Sequence, residues 1–215
     1  MISSNFKNDL SKEEILSTYL DELYAKKYNT SNFSIQRITD LDLQHKGVDL
    51  ILDNKKEKFN VDEKAQLDYL NHSLPTFAFE ISYLKNNEWR KGWLFDENKI
   101  TDIYFLITNI YIYIYTKTPN NLSSGLSKIK ITGIYREKLI KLLSKKGLTE
   151  SVLYKLEKEI RKSEAHGKIE LEQLDSKTEG LIYYSKTNKN EQPINLVLKL
   201  NFLIKNKTGK VAFKL

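Results

Sequence analysis

The chain has 215 residues, 40% of them hydrophobic, enough for one substantial core and within the range of a single domain. It has no cysteine, which excludes disulfides, thiolate metal sites and thiol nucleophiles and fits a reducing, cytoplasmic setting. The net charge of +7 is uneven: residues 1–127 carry 15 Lys and Arg against 18 Asp and Glu, a net of −3, and residues 128–215 carry 20 against 10, a net of +10. A positive field concentrates polyanions, so the later part is a candidate cradle for a phosphate backbone; lysine-rich solubility explains the same excess.

Met1 to Leu10 is polar where a secretory signal needs an apolar run. The most apolar stretch, Ile103 to Tyr115, is too short to span a bilayer and alternates like a strand, so no membrane partner is expected. Ser11 to Lys27 reads as a helix, with Ser11 and Glu14 at capping-box spacing and Ile15, Tyr19, Leu20 and Leu23 on one face. Strand runs follow at Val48–Asp53, Lys58–Leu67 and Phe77–Leu84, the first two joined by the turn Asn54 to Glu57 as a hairpin. Two more are expected at Asp102–Thr108 and Ile110–Thr116. The turn-rich segment Thr118 to Gly125 marks the best internal boundary.

Beyond it, a strand at Lys128–Thr132 precedes helices at Arg136–Lys146 and Glu150–Ser163, the second capped by Thr149. Strands at Gly180–Ser185, Ile194–Lys205 and Lys210–Lys214 close the chain. The pattern predicts an α/β protein with a central mixed sheet of about five strands flanked by helices. Residues 1–125 form the expected core and residues 126–215 a basic α+β part packed on the same domain.

Chemistry concentrates at the first hairpin. If Asn54 to Glu57 turn, Asp53 pairs with Lys58 and partner numbers sum to 111, which sets Asp49 opposite Asp62. Facing carboxylates, with Cβ atoms about 5 Å apart, repel unless a cation lies between them, and Mg²⁺ typically takes one or two carboxylates plus water and phosphate. Period-two alternation puts Asp62, Lys64 and Gln66 on one face and Val61, Glu63, Ala65 and Leu67 on the other. On the third run, Glu80 sits between the small Ala78 and Ser82, which makes it a third acidic candidate. The bland reading has the two aspartates as solvent-facing strand ends that Lys64 neutralises.

The series Gly47-Val48-Asp49, then Val61-Asp62-Glu63-Lys64-Ala65-Gln66, on a hairpin preceded by a helix, resembles the PD-(D/E)xK restriction-endonuclease-like nuclease superfamily. The resemblance implies that Asp49 and Asp62 ligate Mg²⁺, or Mn²⁺, and that Lys64 positions the attacking water; Gln66 matches a glutamine often found two residues past that lysine. The Glu63 backbone carbonyl and Glu80 complete the expected ligand set. Val48 stands where the family name has proline, and no helix is evident between the third and fourth strands. Glu14 and Glu22 are candidates for an acidic residue that some members carry on the first helix.

Tyr111, Tyr113 and Tyr115 form a stripe suited to stacking bases or to an interface. Lys141, Lys145, Lys146, Lys199 and Lys205 are possible phosphate contacts, or ordinary helix-end and edge lysines. His45, His72 and His166 have no ligand spacing. With no glycine-rich phosphate loop, serine elbow or zinc pattern, nucleotide-triphosphate hydrolysis and acyl transfer are unsupported. The activity that the carboxylate–lysine cluster and the resemblance imply is Mg²⁺-dependent phosphodiester hydrolysis, on DNA rather than RNA, in a possible homodimer. The alternatives are a non-cleaving nucleic-acid-binding module of that fold and a structural or interaction protein.

Overall fold

The computed structural model describes residues 3–28, 32–113, 125–163, 165–187 and 189–215. The first helix, α1 (Ser3–Tyr28), starts well before Ser11 and buries Leu16, Leu20 and Tyr24, one stripe at four-residue spacing. That stripe shares only Leu20 with the expected face. Strand β1 (Ser34–Arg37) follows, then a short helix α2 (Leu41–His45) whose cap, Asp40, accepts the Leu43 N–H at 2.9 Å. Gly47, at φ 76°, ends α2, with the Val48 N–H donating to Leu43 O at 3.0 Å.

The chain then enters β2 (Leu50–Asp53) and turns into β3 (Lys58–Ala65). Asn54 Oδ1 accepts the N–H groups of Lys56 and Glu57 and Lys55 takes φ 67°, so the Asn54–Glu57 turn is an Asx-type closure. The register pairs Leu50 with Val61, Ile51 with Asn60, Leu52 with Phe59 and Asp53 with Lys58, the expected sum of 111. A 3₁₀ turn at Leu67–Tyr69 leads to β4 (Thr76–Lys85) and β5 (Glu88–Lys91).

Next come β6 (Ile103–Ile112) and β7 (Leu126–Tyr135), then α3 (Arg136–Lys145) and α4 (Glu150–Lys162). The two strands expected across 102–116 are one through Ile112, with Asn109 at φ 53° where the break was placed. Thr149 caps α4 as expected, accepting from Val152 N–H at 3.4 Å. Strands β8 (Gly167–Ile169), β9 (Gly180–Tyr184) and β10 (Ile194–Lys199), helix α5 (Leu200–Lys205) and strand β11 (Gly209–Lys214) complete the order.

The long strand expected at Ile194–Lys205 therefore stops at Lys199. Leu196, Leu198, Leu200 and Phe202 continue a two-residue period, but Leu203 is buried as well, and the Thr208 hydroxyl and Asn206 amide close the helical turn on Leu203 O and Phe202 O.

Two compact units share the chain: Met1–Leu74, Ile100–Gly133 and Lys210–Leu215 form the first, and Pro75–Lys99 and Ile134–Gly209 the second. This division does not follow the boundary expected at 125. The first unit holds a six-stranded mixed sheet in the order β1-β2-β3-β6-β7-β11, antiparallel from β1 through β3 and parallel between β3 and β6. Its core includes Leu50, Val61, Tyr104, Leu106, Ile129 and Ile131. The second holds an antiparallel sheet, β5-β4-β10-β9-β8, with Phe79, Ile81, Ile182 and Leu196 fully buried. The α/β class is as expected, but six and five strands in two sheets replace one sheet of about five. Among the described residues no helix is long and apolar enough to cross a membrane.

Candidate metal centre

Asp49 arrives at the sheet through local chemistry: the positive-φ Gly47 closes α2 and the next two residues feed β2. At Asp49 the strand leaves the regular ladder. Its N–H donates to Val61 O at 2.8 Å, and its Oδ2 accepts the Glu63 N–H at 2.7 Å, so a side chain replaces the next backbone partner of β3. The expected cross-strand pairing of Asp49 with Asp62 is therefore a correction: β2 begins at Leu50, and the Asp49 carboxylate folds against the end of the ladder instead. It still lies near Asp62: burial first, and the Asp62 charge second, push the Asp49 carboxyl up to about 7, against the opposing pull of the Glu63 N–H and the Lys64 charge.

Asp62 points to the opposite face from Glu63, as alternation requires, and only 1% of the residue is exposed. Its Oδ1 pairs with Lys64 Nζ at 2.5 Å. Its Oδ2 is buried with no hydrogen-bond partner among the described residues. Buried carboxylate oxygens are rarely left this way, because an unmade bond to a charged group costs more than about 1–3 kcal/mol. The neighbour of Asp62 on β6 is the buried Tyr104.

On the other face, the Glu63 side chain meets α1 and β1. Its Oε1 accepts from the Tyr24 hydroxyl at 2.5 Å and its Oε2 from Arg37 Nη1 at 2.6 Å, while Arg37 Nε reaches Asp21 Oδ1 at 2.6 Å. Burial pushes the Glu63 carboxyl up, and Arg37 and Tyr24 pull it back. The acidic helix residue in this network is Asp21; Glu14 and Glu22 are exposed. Arg37 and Tyr24 carry no motif, and the one hint in the sequence is that Glu63 falls on the apolar face of its strand.

The expected set is thus partly assembled. Asp49, Asp62 and Lys64 come together, and the Glu63 carbonyl projects from β3 on the same flank as its N–H, the flank that Asp49 occupies. Gln66 lies one residue past the end of β3, where its N–H donates to Ile107 O at 3.0 Å.

Glu80 is a correction. It sits on β4 of the five-stranded sheet and pairs with Asn195 of β10, whereas the neighbours of β3 are β2 and β6. Of the two small neighbours expected beside it, Ser82 is buried, its Oγ donating to Glu157 and accepting from Arg161, and Ala78 is exposed.

Two carboxylates and a carbonyl make a hard oxygen set, which suits Mg²⁺ or Mn²⁺ with water and phosphate filling the remaining positions. The orphaned Asp62 Oδ2 and the raised Asp49 carboxyl both fit a cation placed between the two side chains. Among the described residues no group of three or more His, Cys, Asp or Glu side chains converges.

The remaining candidates are placed elsewhere. His45 is exposed on α2, and His72 Nδ1 lies 2.8 Å from Leu70 O. Tyr111 lies beneath Lys128, 4.9 Å from its ammonium, Tyr113 is exposed, and Tyr115 lies outside the described residues. Lys141 and Lys146 pair with Glu137 and Glu179. No family model, curated protein or solved structure matches the chain, so its own geometry carries the reading of the site.

Proposed function

We propose that the chain is a metal-dependent nuclease of the PD-(D/E)xK kind, hydrolysing phosphodiester bonds in DNA rather than RNA. The observation that carries this reading is the Asp49–Asp62 juxtaposition, with one buried Asp62 oxygen unpartnered and Lys64 on the other. The parallel β3–β6 pairing adds support, because it extends the hairpin into the mixed sheet that the resemblance implies.

Asp49, Asp62 and the Glu63 carbonyl would hold Mg²⁺. A bound Mg²⁺ supplies Lewis-acid charge and lowers the pKa of a coordinated water. Asp62 fixes the Lys64 ammonium beside the carboxylates, where it stabilises negative charge developing on the phosphate. Asp49, held by the Glu63 N–H, keeps its second oxygen for the cation.

The test has two arms. Mg²⁺ or Mn²⁺ titration followed by thermal melting should stabilise the protein and leave Asp62→Asn unmoved. Incubation with supercoiled plasmid or single-stranded DNA should give divalent-dependent cleavage. Metal stabilisation without cleavage would identify a non-cleaving binding module, and the absence of both would remove the nuclease reading.

A further inference from the structure

Asp49, Asp62 and Lys64 leave unexplained the second charge network, on the opposite face of β3. Glu63 is nearly enclosed, its side chain 10% exposed, yet it is a carboxylate where a packed sheet face would accept a leucine at no electrostatic cost. The charge is held by two elements at once, through Tyr24 of α1 on Oε1 and Arg37 of β1 on Oε2. Arg37 uses its fork to reach Asp21 as well, which a lysine's single ammonium cannot reproduce.

The same residue contacts the candidate metal centre through its backbone. The Glu63 N–H donates to Asp49 Oδ2 at 2.7 Å, and so selects which Asp49 oxygen is engaged. The chain at the end of β1 grips this corner twice with consecutive residues: Arg37, the last of the strand, takes the Glu63 carboxylate, and the N–H of Ile38, just past it, takes Asp49 O at 2.8 Å. The side chain of Glu63 is thereby tied to the helix and edge strand while its amide is tied to Asp49. A shift of the 62–63 peptide would move the donor that holds the Asp49 carboxylate.

We propose that Arg37 and Tyr24 are positioning residues for the carboxylate pair: by clamping Glu63 on the far face of β3 they hold its N–H on Asp49 Oδ2 and reserve the other Asp49 oxygen for a cation. The last clause rests on the metal-centre reading; the clamp does not. Both contact the Glu63 side chain and act on Asp49 through the Glu63 peptide.

The experiment uses the full chain with Arg37→Lys, which keeps the charge, and Tyr24→Phe, which keeps the ring and removes one hydroxyl. Amide hydrogen exchange measured by NMR compares the Glu63 N–H with the Asp49 N–H, which donates to Val61 O in the same corner. The expected result is Glu63 exchange at least tenfold faster in both variants, with the Asp49 amide changed by less than threefold. A merely structural role would speed both amides together, and that outcome, or unchanged exchange at Glu63, overturns the proposal.

Mg²⁺ titration of the same proteins, well below their melting temperatures, reads the link to the metal. Tenfold weaker binding in the variants supports it, and binding equal to the parent overturns it. A parent that binds no Mg²⁺ removes the nuclease reading, while the exchange ratio still decides the clamp.

Discussion

Lys64 Nζ lies 2.5 Å from Asp62 Oδ1, and the two side chains are unequally placed: Asp62 is 2% exposed and Lys64 30%. The lysine therefore reaches inward to a carboxylate that cannot reach out. Removing one partner of a buried pair costs about 3–5 kcal/mol, because the other charge is left uncompensated. Lys64→Met should destabilise the metal-free protein by about 3 kcal/mol in urea unfolding, with Mg²⁺ restoring more stability than it adds to the parent. Cleavage should fall about 10²–10³-fold, the scale of losing one electrostatic stabiliser.

Asp62→Asn acts differently. It relieves the repulsion on Asp49, and Lys64 is exposed enough to turn its ammonium to water. The metal-free variant should unfold within about 1 kcal/mol of the parent. The parent should gain about 2.7 kcal/mol at a Mg²⁺ concentration a hundred times its Kd, and the variant nothing. Thermal melts with and without the cation check both statements.

Stability should depend on pH through Asp49. Its carboxyl, at about 7 in the folded chain against 3.8 ordinarily, holds its proton more tightly when folded, so its contribution is complete below about pH 4 and is lost as pH rises through 7. The metal-free melting temperature should fall between pH 4 and 8, by the equivalent of about 4 kcal/mol at most. Asp49→Asn should flatten that slope. Adding Mg²⁺ at pH 8 should recover the loss, because metal ligands must be ionised and the cation takes the place of the proton.

In the second unit, Arg161 pairs with the buried Glu157, donates to Ser82 Oγ at 2.6 Å and to Gln192 O at 3.2 Å, and stacks on Trp89 at 3.5 Å. Arg161→Met should cost about 3–5 kcal/mol by stranding Glu157. Its Mg²⁺ affinity, measured on folded protein, should stay at the parent value. A changed affinity would show that this network bears on the metal centre.

Much of the candidate site was legible because its determinants are local. Asn54 to Glu57 is a turn sequence, and a hairpin turn fixes register, so Leu50 opposite Val61 follows from counting. Alternation then places Asp62 and Lys64 on one face and Glu63 on the other. The Asp49 detour was not legible, because it arises where its carboxylate competes successfully for the Glu63 N–H.

Glu80 failed for a different reason. Its strand has a good alternating pattern, but the pattern says which face is buried and nothing about which strand lies alongside. The free edge of β3 is taken by β6 from about 40 residues downstream, and β4 pairs with β10 from more than 100 residues downstream. Such pairings depend on the fit of whole edges brought together late in the chain, which leaves no local trace.

The sequence by itself determined the hairpin, its register, the faces of Asp62, Glu63 and Lys64, and the cap at Thr149, since turns, periods and caps act within a few residues. Only the tertiary structure decided that two sheets share the chain, that Glu80 belongs to the other one, and that Tyr24 and Arg37 hold Glu63 against Asp49's support. Those outcomes come from side chains meeting across long stretches of chain, where burial and charge pairing select the partner.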